Sequence, residues 1–445
     1  MQSIWKALSS LPRPLHYLFI FKIGALLAAC FAPFVHPHII RQSDTMGVAY
    51  RYWMRWTMEQ DLHYPLLPAV LNAGDTYGIS PMEVPFLNIF AAPFFVFGIS
   101  SGRILSSIAV LFLFLALTYV NFRAWKDVKI FGVSAGLVSL MGILFGVSQK
   151  YVGRFMPDYL SYILVSTSIA ISWKKPRYVL SFILACVGLL IKPPSVIAFA
   201  IVLVKPIKEV LRNYIPFILP AFISAVLYFT LGIKKIKEVS DITDYFRVAF
   251  RPPLESLISF LKQPKEILEL ASYSLFTGLS LFLILVLLRN KDHRNIVGKL
   301  LGLMLLQIVA GAAIDGDHAF IHDYYFIGTS FISSLLFLYF LKHGGKKLAA
   351  ISIALLWIVQ VERAAYEIQP LFKNHIWHQC DDILANKFVG DSLKVNTPMR
   401  SSVFEGLCMG KIQNSKTAKN RVEIENGEVK HLYIDGESES NEGGM

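Results

Sequence analysis

Residues 101–177 read SGRILSSIAVLFLFLALTYVNFRAWKDVKIFGVSAGLVSLMGILFGVSQKYVGRFMPDYLSYILVSTSIAISWKKPR, and this stretch decides the fold. Three apolar runs, at about 103–122, 128–147 and 155–172, carry almost no charge inside them. Charge collects between the runs instead. Arg123, Lys126 and Lys129 fill the first gap, Lys150, Arg154 and Asp158 the second, and Lys174, Lys175 and Arg177 follow the third. A helix that crosses a bilayer needs roughly 20 mostly apolar residues. The pattern therefore predicts three successive crossings, with gaps that alternate between mainly basic and mixed.

The same pattern extends over most of the 445 residues. The chain is 54% hydrophobic, only 17% charged, and has a mean hydropathy of +0.51; soluble domains carry about 25% charged residues. The sequence predicts an all-α polytopic membrane protein with about eleven transmembrane helices, at 15–35, 103–122, 128–147, 155–172, 178–191, 194–204, 213–232, 270–288, 297–314, 323–341 and 348–361. The first run has no cleavage site after it and is expected to remain as a span. The fifth and sixth are short and read as a hairpin bent at Lys192-Pro193-Pro194. The net charge of +12 sits mostly in every second short loop, from Lys6 and Arg13 to Lys342, Lys346 and Lys347. The positive-inside rule places these loops in the cytoplasm, with the N-terminus inside and the C-terminal tail outside. No basic, aromatic-interleaved surface suggests nucleic acid, so the bilayer is the expected partner of the charge.

Residues 36–102 then form a large outer juxtamembrane loop. Glu83–Ser100 is apolar but short and contains Pro85 and Pro93, which predicts a helix lying in the interface rather than a crossing; Trp53 and Trp56 fit the same depth. A second outer segment, 233–269, carries both charge signs. Domain 1–361 is followed by a small α/β extracytoplasmic domain at 362–435 and a disordered tail at 436–445. Within the small domain, Val422–Ile434 alternates around Asn426-Gly427, a two-residue hairpin signal. Of the four cysteines, Cys380 and Cys408 fall in this outer part, where a disulfide is open to them. The chain has no Cys-x-x-Cys pair, no phosphate-cradling glycine loop and no internal repeat.

The outer ends of the spans collect the polar residues. Arg41 and Asp44 open the first loop, and Tyr64 and Glu83 follow. Arg103, Lys150, Arg154, Asp158 and Lys192 stand at span ends. Asp315, Asp317, His318, His322, Asp323, Tyr324 and Tyr325 gather after the ninth span. Basic residues on the outer side run against the topological bias, and an anionic headgroup would explain them through charge-assisted hydrogen bonds. Arg103, Arg154 and Lys192 are the candidates for that role. Asp44 and Asp158 are the carboxylates available for acid–base work. Each also has a plain structural role open to it, since both stand where a helix cap is favourable, as Lys192 has in snorkelling to the interface. The His and Asp cluster at 315–323 has the residue types of a divalent-cation site.

Taken in order, these parts resemble the C-type superfamily of polyprenyl-phosphate-sugar glycosyltransferases, near the protein O-mannosyltransferases and the bacterial aminoarabinose transferase. The resemblance runs over about 15–360 and rests on Arg41-x-x-Asp44-Thr45, Met156-Pro157-Asp158, Lys192-Pro193-Pro194 and His322-x-Tyr324-Tyr325. It implies inverting transfer of a sugar from a polyprenyl-phosphate donor to a hydroxyl of a glycan, lipid or protein acceptor. Asp44 would match the base and Asp158 the second acidic residue. Arg41, Arg103, Arg154, Lys192, Glu83, Tyr64, His322, Tyr324 and Tyr325 would bind substrate, with no certain cofactor and a divalent cation as an option. The expected setting is a bacterial inner membrane and a cell-envelope polysaccharide or lipopolysaccharide. A lipid-linked-glycan transporter or flippase is the first rival; it would favour midplane charges and repeats. An O-antigen polymerase or ligase is the second, and would put its largest outer loop late rather than first.

Overall fold

A computed structural model describes residues 11–32, 39–57, 84–239, 252–265, 267, 291–314 and 323–368, with five short strands beyond them. In chain order the helices are α1 (Arg13–Ala29), α2 (Ile39–Thr57), α3 (Phe86–Ala91) continued by a 3-10 turn Ala92–Phe97, and α4 (Ile99–Trp125). A hairpin of β1 (Lys129–Ile130) and β2 (Val133–Ser134) leads into α5 (Ala135–Met141). Next come α6 (Asp158–Ser172), α7 (Tyr178–Ile191), a 3-10 segment Pro193–Val204, α8 (Ile207–Asn213) and α9 (Ile215–Val239). The last helices are α10 (Pro253–Leu261), α11 (Lys291–Ile314), a 3-10 segment Asp323–Thr329, α12 (Ser330–His343) and α13 (Lys346–Ile368).

Among the described residues, four helical stretches are long and apolar enough to cross a membrane: Ser101–Trp125, His293–Ile314, Asp323–His343 and Lys346–Ile368. The pair α8 and α9, bent by 58°, makes a fifth. Helices α1, α6 and α7 are shorter than that length, and span 270–288 lies outside the described residues. The protein is a polytopic membrane protein, and its core explains why several crossings depart from ideal helices.

The expected third span, 128–147, is not one continuous helix. Only Ala135–Met141 is α-helical; turns and a 3-10 segment, Val147–Lys150, carry the chain on to Asp158. Irregular backbone survives at membrane depth only when protein surrounds it, and here nearly every residue of 135–149 is buried. Side chains meet the freed backbone groups. Ser148 Oγ donates to Gly142 O at 2.7 Å, Ser148 N donates to Ser330 Oγ at 2.8 Å, and Gln360 Nε2 donates to Leu144 O at 2.8 Å. Gly146 has φ +77°, and a Cβ there would lie 2.9 Å from Ser330 Cα, so glycine is required on both counts.

The basic loops come together at one end of the bundle. Lys342 Nζ donates to Gly132 O, Lys205 Nζ donates to Trp173 O, and Tyr178 OH donates to Arg212 O, at 3.1, 2.9 and 3.1 Å. This is the basic rim; the opposite end is the polar rim. At the polar rim Lys192 is extended (φ −154°, ψ 99°), the conformation a following proline enforces, and α7 stops one residue before it. Helices α1 and α13 run side by side, with Trp357 Nε1 donating to Pro14 O at 3.0 Å.

Three boundaries differ from the sequence reading. Helix α13 continues to Ile368, so Glu362–Ile368 belong to the bundle and not to the tail. Asn420–Glu425 and Glu428–Ile434 pair antiparallel across Asn426-Gly427, as the turn signal implies, but the tail expected to be disordered contributes a strand, Glu437–Ser440, paired with the second of them. Residue 44 lies five residues inside α2, so Asp44 does not cap that helix. Thr45 O accepts from Asn88 Nδ2 at 2.5 Å, which ties α2 to α3.

Candidate functional site

The site is built at the polar rim, where the N-terminal ends of α4 and α6 meet the C-terminal ends of α1, α7 and α13 and the start of the Asp323–Thr329 segment. Asp158 is the first residue of α6, after Pro157, and its side chain is fully buried. Lys192 Nζ lies 3.8 Å from Asp158 Oδ1 and 4.3 Å from the ring centre of Tyr324. An ammonium over an aromatic face gains electrostatic attraction, most when desolvated, and Lys192 is itself buried. The backbone of the bend is pinned by Ser161, whose hydroxyl reaches Gly188 O (2.6 Å), Lys192 O (3.1 Å) and Ser195 Oγ (2.7 Å).

Asp323 joins the site from the neighbouring segment. Its two carboxylate oxygens accept hydrogen bonds from Lys150 Nζ and Tyr151 OH. Tyr151 also stands within electrostatic reach of Asp158 and Tyr324, which links the two carboxylates. The rings of Tyr324 and Tyr325 lie 4.8 Å apart between centroids, tilted by 54°. Tyr324 is buried and faces Lys192, and Tyr325 is half-buried.

A third carboxylate completes the arrangement. Glu367, on the last turn of α13, lies with Oε1 3.2 Å from Arg154 Nη2 and 3.7 Å from Lys22 Nζ. Arg363, one turn earlier, is within electrostatic reach of Glu367, Asp323 and Arg154. Arg103 sits at the same rim, its Nη1 donating to Ala32 O at 2.8 Å beyond the end of α1. The described residues thus form one linked network in which Lys22, Lys150, Arg154, Lys192 and Arg363 surround Asp158, Asp323 and Glu367. Six of these eight side chains are buried, Lys150 and Arg363 being half-buried; buried charges are held by mutual pairing, and in this network the cations outnumber the carboxylates.

Of the residues singled out in the sequence, the structure brings together Arg154, Asp158, Lys192 and Tyr324, with Arg103 and Tyr325 at the same rim. The side chains of Arg41 and Asp44, and all of Tyr64, Glu83, Asp315, Asp317, His318, His322, Cys380 and Cys408, lie outside the described residues. Asp323, one of the residues whose type would suit a cation site, is engaged by Lys150 and Tyr151. Among the described residues no three His, Cys, Asp or Glu side chains gather to hold a metal. Sequence reasoning missed Lys22, Tyr151, Arg363 and Glu367. A signal for Lys22 was present: it is the single charged residue between Leu15 and Ala29, and an ionisable residue inside a span is by default functional. Glu367 was hidden by ending the last span seven residues early.

This bundle, with its charged rim, shares its fold with a solved structure. Among solved structures the chain is similar to ArnT, an aminoarabinose transferase from Cupriavidus metallidurans whose crystal structure was determined with undecaprenyl phosphate bound: the TM-score is 0.56 over 93% of this chain and 86% of that one, at 9% identity. At that identity the likeness is one of fold. No protein-family model matches the chain, and no curated protein matches it in sequence.

Proposed function

We propose that the protein transfers a sugar from a polyprenyl-phosphate donor to an acceptor hydroxyl, at the polar rim. The observation that carries this reading is the buried network of cations and carboxylates at one end of the bundle, in a fold shared with a protein solved with undecaprenyl phosphate. The positive-inside rule supports placing the basic rim in the cytoplasm and the polar rim outside. The inner membrane of a bacterium is the setting this reading takes.

The donor enters laterally, its phosphate meeting Lys192, Arg154 and Arg103. These cations favour the charge that gathers on the phosphate as the sugar leaves, and in a dry site such preorganised charge is worth more than in water. Asp44 takes the proton from the acceptor hydroxyl, a role that contributes roughly 10²–10⁴-fold. The acceptor oxygen attacks the anomeric carbon opposite the phosphate, the bond to the phosphate oxygen breaks, and the configuration inverts. Asp158 holds Lys192 in line, while Tyr324 covers its ammonium. Arg41, Tyr64, Glu83, His322 and Tyr325 complete the sugar and acceptor pocket, and a glycan, lipid or protein supplies the hydroxyl.

Reconstitution in liposomes with radiolabelled polyprenyl-phosphate sugars tests the reading. Transfer by the wild type, lost in a folded Asp44→Asn variant, is the expected result. Undiminished transfer by Asp44→Asn removes Asp44 as the base. Passage of intact donor across the bilayer without transfer replaces the enzyme reading with the transporter one.

A further inference from the structure

Three charged groups inside the bundle take no part in the transfer step: Lys22 in the middle of α1, and Arg363 and Glu367 at the end of α13. We propose that Glu367 is a positioning residue that aims Arg154 at the donor phosphate, with Lys22 holding Glu367 in place. This rests on the transferase reading and adds to it a residue from the last helix.

The geometry is built from both sides. Gly153 precedes Arg154 with φ +82°, and a Cβ on it would lie 2.8 Å from Leu26 Cδ2. The chain therefore presses directly on α1 as it delivers Arg154. Lys22, Leu26 and Cys30 recur every fourth residue and share one face of α1, so the face that meets Gly153 also carries Lys22. Glu367 arrives from α13, which runs alongside α1, and one of its oxygens meets both cations. The two contacts differ. Arg154 is at 3.2 Å, whereas Lys22 is at 3.7 Å and its Nζ makes no hydrogen bond among the described residues. The second oxygen of Glu367 makes none there either. A pair built for stability would saturate these groups, because a buried ion pair repays its desolvation only with good geometry. Here the close contact goes to Arg154 and the long one to Lys22, which directs one edge of the guanidinium and leaves the ammonium as a counter-charge. Cys30, at the end of α1, lies within reach of both Arg154 and Arg103. The guanidinium is thus held on the flank where the other rim cation stands.

The test uses full-length protein, undecaprenyl phosphate as the binding probe and a radiolabelled polyprenyl-phosphate sugar as donor. Glu367→Gln is expected to raise the donor KM and the undecaprenyl phosphate Kd about tenfold, the cost of one misdirected charge-assisted contact, with kcat within about twofold. Glu367→Asp, which keeps the carboxylate, recovers most of the affinity. Breaking either half of the buried pair lowers the melting temperature, and Lys22→Met with Glu367→Gln restores it, since removing both partners is close to neutral. The proposal requires that this double variant keep the raised KM while regaining stability. Recovery of both KM and stability shows that the pair is structural only and overturns the proposal, as does an unchanged KM in Glu367→Gln. If wild-type protein neither binds undecaprenyl phosphate nor transfers sugar, the transferase reading fails and this one with it; binding and transfer with KM insensitive to Glu367 removes the positioning role alone.

Discussion

Replacing Lys192 by methionine isolates the contact on which the site depends most. The ammonium lies 3.8 Å from Asp158 Oδ1, and neither side chain is more than 8% exposed. At an effective dielectric of about 20, opposite charges at that separation attract by about 4 kcal/mol. Removing one partner of a buried pair costs about 3–5 kcal/mol, because the other charge stays behind without its counter-charge. Loss of the contact with the Tyr324 ring adds about 1 kcal/mol. Asp158→Asn alone removes the same pair from the other side, so the two losses overlap. The double variant Lys192→Met with Asp158→Asn should cost less than the sum of the singles by about 2 kcal/mol, within the range for groups in direct contact. The assay is relative unfolding free energy by denaturant titration in mixed micelles, with undecaprenyl phosphate binding measured in parallel. Binding should be lost in every variant lacking Lys192, including the double one. Additivity within about 0.5 kcal/mol would show that the two residues do not interact and would refute the geometry of the site. Retained binding in Lys192→Met would refute the phosphate role.

Gln360→Leu should destabilise the bundle by about 1–3 kcal/mol, since it leaves the buried Leu144 carbonyl and the Gln149 side chain without their donor; thermal unfolding in detergent reads the loss, and a melting temperature equal to wild type would show that the irregular third crossing does not need this support. Gly153→Ala forces a side chain into the left-handed region and against Leu26. A cost of about 1–3 kcal/mol is expected, together with weaker undecaprenyl phosphate binding, because Arg154 follows directly. A reporter enzyme fused after Lys126 should be active only in its cytoplasmic form and one fused after Tyr366 only in its exported form; the reverse pattern would invert the topology and put the polar rim inside.

Much of this was legible from one-dimensional pattern. Apolar runs of bilayer length, broken by charge, announce spans because backbone in hydrocarbon must satisfy its own hydrogen bonds. The order of Arg154, Asp158, Lys192 and Tyr324 along the chain was enough to put them at one end, since each stands where a helix begins or stops. Two features were not legible. The break in 128–147 depends on Gln360 and Ser330, far away in sequence, and no local signal says that their hydrogen-bonding groups will be there. The partner of Arg154 is Glu367, more than two hundred residues later, and only the side-by-side packing of α1 and α13 reveals that it is near.

The amino-acid sequence alone determined that this chain lives in a membrane, which loops share a side, and which residue types stand at the rim. Those properties follow from transfer free energies and helix periodicity, which are summed locally along the chain. Tertiary structure alone decided which cation meets which carboxylate, and which crossing could abandon the helix. Pairing of charges and rescue of orphaned carbonyls are short-range interactions, fixed to within an ångström by how distant segments pack, and local pattern carries no record of them.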